Sequence, residues 1–217
     1  MHRNEAEEHL RIIRSLMEKA TIYRAISAPT ALVGGALAAL VGGGLAATAN
    51  PDRGQPALFF LSWIGVLAVT AASNIWFLRR DALRRGEAFV SPGMKMALLA
   101  LLPSHLAAGV ATIIAIAVLD TMYLGALYVL LPEFWCILYG MGLLAMKHFA
   151  PRSITRLGWA FFIVGLLATA NTLIGFPKIF SGGERLAHCT MACTFGLFHL
   201  IYAACVWPRR PRGTSSH

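Results

Sequence analysis

The chain has 217 residues, of which 57% are hydrophobic and only 13% charged, with a mean hydropathy of +0.64 and a formal net charge of +9. Soluble domains carry about twice that charged fraction, so the composition excludes one and places the chain in a membrane. Such basicity raises the question of nucleic acid. No motif of that class is present, and topology accounts for the cations instead.

The first 25 residues mix Glu5, Glu7, Glu8 and Glu18 with bases, and no small-residue cleavage site follows a short apolar core. They therefore do not read as a cleavable signal peptide. Leu10, Ile13, Met17 and Ala20 recur at helical spacing. Residues 1–27 are expected to form an amphipathic interfacial helix on the cytoplasmic face.

Apolar stretches follow at 28–49, 57–78, 96–119, 122–146, 156–176 and 187–207. Crossing a hydrocarbon core about 30 Å thick takes roughly 20 residues at about 1.5 Å each. Lipid cannot satisfy an open backbone, and these runs are too long and continuous for alternating barrel strands. The expected fold is an all-α integral membrane protein: six transmembrane helices in one bundle over 28–207. The longest loop, 79–95, carries the turn signal Ser91-Pro92-Gly93. The basic tail 208–217 is expected to be disordered.

The 19 Lys and Arg residues are unevenly placed. Arg3, Arg11, Arg14, Lys19 and Arg24 precede the first span, and Arg79, Arg80, Arg84, Arg85 and Lys95 lie between the second and third. Lys147, Arg152 and Arg156 sit between the fourth and fifth, and Arg209, Arg210 and Arg212 in the tail. Only Arg53, Lys178 and Arg185 fall on the opposite side. Cations resist translocation, so both termini are expected in the cytoplasm, next to anionic lipid headgroups.

Within span 1, Gly34/Ala38/Gly42 and Gly35/Ala39/Gly43 repeat every four residues, with Gly44 beyond. This is a smooth face for close helix approach. A phosphate-binding loop is excluded, because no Lys-Ser/Thr follows.

Polar residues inside the spans are the candidate site. Glu133 follows Pro132 in span 4, and His105 follows Pro103 and Ser104 in span 3. An ionised carboxylate is costly there, so Glu133 is expected to be protonated, paired or beside water. Pro103 and Pro132 are expected to break the helical hydrogen bonding next to these residues. His105 shares a face with Ala108, Gly109 and Thr112 and is expected to point inward. In span 6, His188, Ala192, Phe195, His199 and Tyr202 share one face. On a ruler of about 1.5 Å per residue, His105 lies about 13 Å deep, His199 about 12 Å and Glu133 roughly 20 Å.

Three uses follow. Glu133 with His105 or His199 suits a proton relay in a small transport or sensing component. His105 and His199 suit the axial ligands of a haem b in an electron-transfer protein. His105, Glu133 and His199 suit a metal site. A purely structural role, with each group bonded to a neighbouring carbonyl or to Tyr139, stands beside these. A separate soft-metal set is His188, Cys189, Met191 and Cys193, although a single helix does not close it. No HExxH, GxSxG or nucleotide motif argues for an enzyme. An accessory membrane subunit or a homo-oligomer remains a further alternative.

The strings SLMEKATIYRAISAPTALVGG (15–35), FVSPGMKMAL (89–98), FAPRSITRLGWAF (149–161) and FGLFHLIYA (195–203) resemble a group of uncharacterised bacterial six-helix inner-membrane proteins. The resemblance covers most of the chain. It implies a bacterial inner membrane and no particular activity.

Overall fold

The computed structural model describes residues 7–9, 28–49, 55–86, 89–90, 92–117, 124–148, 150–175 and 183–207. Among them there is no strand and there are six long helices: α1 (Ala28–Thr48), α2 (Pro56–Arg85), α3 (Pro92–Ala117), α4 (Leu124–Ala145), α5 (Arg152–Gly175) and α6 (Gly183–Val206). Five are long and apolar enough to cross a membrane, and α4 adds a further apolar helix of 22 residues. The protein is a multi-pass helical bundle. The expected interfacial helix 1–27 and tail 208–217 lie outside the described residues, apart from 7–9, which are helical.

Several boundaries move from the expected ones for local reasons. The stretch read as the start of the longest loop, from Arg79, is helical to Arg85, because it contains no breaker and Asp81 and Arg85 pair at 3.8 Å one turn apart. Gly86 then ends α2 with a left-handed φ of 65°, its N–H meeting the carbonyls of Ala82 and Leu83. Pro92 opens α3 instead of turning the chain, since a first helical residue needs no donor. Pro103 and Pro132 lie inside helices that continue past them, so each removes a backbone donor without ending its helix. The neighbouring turns hold each helix together around the missing donor.

α6 is a composite. An α-helical segment (Gly183–Met191) runs into a π-helical turn (Ala192–Phe198) and then a second α-helical segment (His199–Val206). Together these pack along α1, which also holds α2, while α4 packs against α3, α5 and the first part of α6. α3 is the least covered helix: 6% of its apolar span is buried within the protein.

Small residues make these contacts close. A Cβ at Gly35 would stand 2.9 Å from the Gly196 carbonyl oxygen, and one at Gly196 would stand 2.9 Å from the Ala39 nitrogen. Gly34 and Gly42 are likewise buried, against Thr70 of α2 and Ala192 of α6. Gly43 and Gly44, however, face open space. Between α4 and α5, a Cβ at Gly140 would lie 2.6 Å from the Phe162 nitrogen. Gly140→Ala is therefore expected to lower stability by about 1–3 kcal/mol, whereas Gly43→Ala stays within about 0.5 kcal/mol. Thermal unfolding of both variants in detergent checks this, and equal melting temperatures would contradict the α4–α5 packing.

Candidate functional site

α4 carries a stripe of three polar side chains, Glu133, Cys136 and Tyr139, each three residues after the last. The spacing keeps them on one side of the helix, about 9 Å from end to end. Each meets a polar partner on a neighbouring helix. Thr172 Oγ1 of α5 donates to Glu133 Oε1 at 2.5 Å. Cys136 Sγ donates to Thr194 Oγ1 of α6 at 3.3 Å, and Thr194 in turn donates to the Thr190 carbonyl at 2.7 Å. Tyr139 Oη lies 2.9 Å from His199 Nε2.

Glu133 is 3% exposed, and its Oε2 is buried with no hydrogen-bond partner among the described residues. The Thr169 hydroxyl lies beside this carboxyl and donates to the Gly165 carbonyl at 2.9 Å. Native structures keep few such orphaned buried atoms, and each calls for an account.

The protons at the other end of the stripe follow from valence. His199 Nδ1 is 2.9 Å from the Phe195 carbonyl, which can only accept, so Nδ1 carries the proton. In the neutral imidazole Nε2 then accepts from the Tyr139 hydroxyl. His199 is the first residue after the π turn, and its N–H bonds the Gly196 carbonyl. π turns inside α-helices frequently mark functional positions. Phe161 packs edge-on to Tyr139 at 4.8 Å and 5.4 Å from the His199 ring, giving the pair an apolar wall.

His105 departs from its expected placement. It is exposed, not inward-facing, and its Nδ1 is satisfied by the Leu101 carbonyl of its own helix at 2.9 Å. Its ring still reaches the edge of Tyr139, with centroids 6.2 Å apart, while His199 lies 5.6 Å from the same tyrosine. The two histidines thus share a layer around Tyr139, and Glu133 lies two turns along α4. The three do not meet. Neither nitrogen of His199 is free to ligate iron, so the geometry lends the haem pairing no support. Among the described residues no three His, Cys, Asp or Glu side chains converge on a metal. The soft-metal set also divides, with His188 and Met191 buried and Cys189 and Cys193 exposed on α6. Asn171 is exposed, beside the buried Thr172.

A second buried polar cluster sits at the other end of α6. Trp63 Nε1 donates to His188 Nδ1 at 3.3 Å, and His188 Nε2 faces Glu184 Oε1 at 3.9 Å. Glu184 Oε2 accepts the Gln55 N–H at the start of α2 at 3.2 Å, and Arg185 donates to the Ala49 carbonyl just past α1 at 3.2 Å. The acid thus serves a helix N-terminus and the base a C-terminus, as the helix dipoles favour. Sequence reading passed over Glu184, Trp63 and Thr194. The spacing of four between Glu184 and His188 was the available signal.

Compared with known proteins, the chain matches no protein family, no curated protein and no solved structure. The site therefore rests on its own geometry. Tyr139→Phe would strand His199 Nε2 and is expected to cost about 1–3 kcal/mol. Denaturation in detergent measures this, and unchanged stability would show the pairing to be idle.

Proposed function

We propose that this protein is a small proton-linked transport or sensing component of a bacterial inner membrane, with Glu133 as the group that exchanges the proton. The observation that carries the reading is Glu133 Oε2: a carboxyl oxygen buried in the middle of the bundle without a hydrogen-bond partner among the described residues. Purely structural carboxyls in hydrocarbon have both oxygens satisfied, because an unmet one costs free energy and adds no packing. Thr172 holds Oε1 and so sets the direction of Oε2, the atom at which a proton is taken up or released. The thiol and hydroxyls of Cys136 and Thr194 continue the polar path toward the fixed Tyr139–His199 pair. A role in positioning protons, not in chemistry on a substrate, fits the absence of a catalytic motif in the sequence.

The setting follows from charge. α2 has 30 residues, roughly 45 Å, and outruns the hydrocarbon core by several turns. Its last turns carry Arg79, Arg80, Arg84 and Arg85, and the Arg80 guanidinium lies 5.1 Å from Trp76 and 5.6 Å from Phe77. Arginine on an aromatic ring at a helix end suits the headgroup layer, where anionic lipids are the expected contacts. This end is assigned to the cytoplasm, with both termini on the same side.

Infrared difference spectra between two pH values, recorded in lipid nanodiscs, test the central claim. A carboxyl C=O component that disappears in Glu133→Gln is expected, and a spectrum unchanged by that substitution overturns the proposal. Separately, reporter fusions at residues 1 and 217 are expected to be active only in forms that fold in the cytoplasm. Activity of a periplasm-dependent reporter at either end would reverse the orientation.

A further inference from the structure

His105 stands in the middle of α3, thirteen residues from Pro92 and twelve from Ala117, or about 18–20 Å from either end. It is exposed on a helix whose apolar span is only 6% buried, so its ring faces lipid near the bilayer midplane. Intramembrane polar side chains almost always turn inward, which makes an outward histidine at this depth an outlier that calls for an occupant. Valence says what kind. Nδ1 is committed as a donor to the Leu101 carbonyl, so in the neutral imidazole Nε2 is an acceptor, and it has no hydrogen-bond partner among the described residues. The occupant must therefore bring a hydrogen-bond donor into the hydrocarbon core.

The surface around His105 gives its shape. Gly109, one turn along the same face, has nothing within 4 Å of where a Cβ would be, so bare backbone lies open beside the imidazole. On the other side is the half-buried ring of Tyr139, backed by Phe161 and Phe195. A flat ring fits against glycine backbone and an aromatic edge. A second copy of this chain is a poorer match at His105. Two such faces related by an axis normal to the membrane would oppose one Nε2 acceptor to another and supply no donor. Phospholipid headgroups, which do carry donors, stay at the interface.

We infer that His105, with the open backbone at Gly109 and the edge of Tyr139, forms a binding site for a lipid-soluble quinol that enters sideways from the bilayer and donates a phenolic hydroxyl to His105 Nε2. The site is independent of the Glu133 reading. Its occupancy is measured without proton flux or carboxyl spectra, so either proposal can fail alone.

The test is a titration of nanodisc-embedded protein with decylubiquinol, followed by quenching of intrinsic fluorescence against protein-free nanodiscs. Saturable binding is expected, weakened tenfold or more in His105→Ala. Gly109→Leu fills open space without touching the bundle and is expected to weaken binding as much while leaving the melting temperature unchanged. Decylubiquinone, whose oxygens only accept, is expected to bind at least tenfold more weakly than the quinol. Partition with no saturable component, equal affinity for the two redox forms, or unaltered binding by His105→Ala overturns the proposal. So does a disulfide-linked dimer formed by Gly109→Cys in liposomes, which would show the face covered by a second copy.

Discussion

Helices in hydrocarbon gain little by burying leucines against one another, because lipid tails are equally apolar, so close backbone contact has to hold them together. In this bundle the contact on which the rest depends is α1 against α6. Gly35, Ala39 and Gly196 let the two backbones approach so closely that a methyl at either glycine would stand about 3 Å from main-chain atoms. The π turn sits at that approach and sets the rotation of the helix beyond it. His199 is the first residue after the turn. Its position against Tyr139, and with it one end of the polar stripe, is thus a consequence of how two smooth helix faces meet.

Satisfaction of polar groups orders the interior that this packing creates. Thr194 and Thr169 return their hydroxyls to carbonyls one turn back, and Cys136 and Tyr139 find partners on α6. At the far end Glu184 and Arg185 serve the two helix termini that flank the connection between α1 and α2. Against that pattern Glu133 Oε2 and Arg80 Nε are buried without a hydrogen-bond partner among the described residues, and the His105 ring is exposed. Tyr139, at the layer of the histidines, touches both His105 and His199.

Much of this was legible beforehand, and where it was not there are specific physical reasons. Span lengths and the close-packing faces of Gly34 and Gly35 are properties of composition and period, so they could be read directly. The extension of α2 to Arg85 was missed because hydropathy registers the edge of the hydrocarbon, whereas a helix continues until something stops it. Counting residues placed His105 and His199 in one layer, but depth along a helix says nothing of rotation about its axis. The small residues near His105 suggested an interior face. α3 has so few neighbours that part of this face remains outside. Thr194 and Trp63 escaped notice because a threonine or a tryptophan becomes a partner only through what another helix brings to it.

By itself, then, the sequence determined that the chain is helical, that it spans a membrane several times, and which few residues are costly to keep there. Those are sums over local chemistry: residues apolar enough and runs long enough, with scarce polar groups among them. The tertiary structure decided which of those residues meet, that Glu133 Oε2 has no partner among the described residues, and that His105 is exposed while His199 faces Tyr139. Those outcomes turn on helix rotation and on one π turn, and both are set by contacts between segments far apart in the chain.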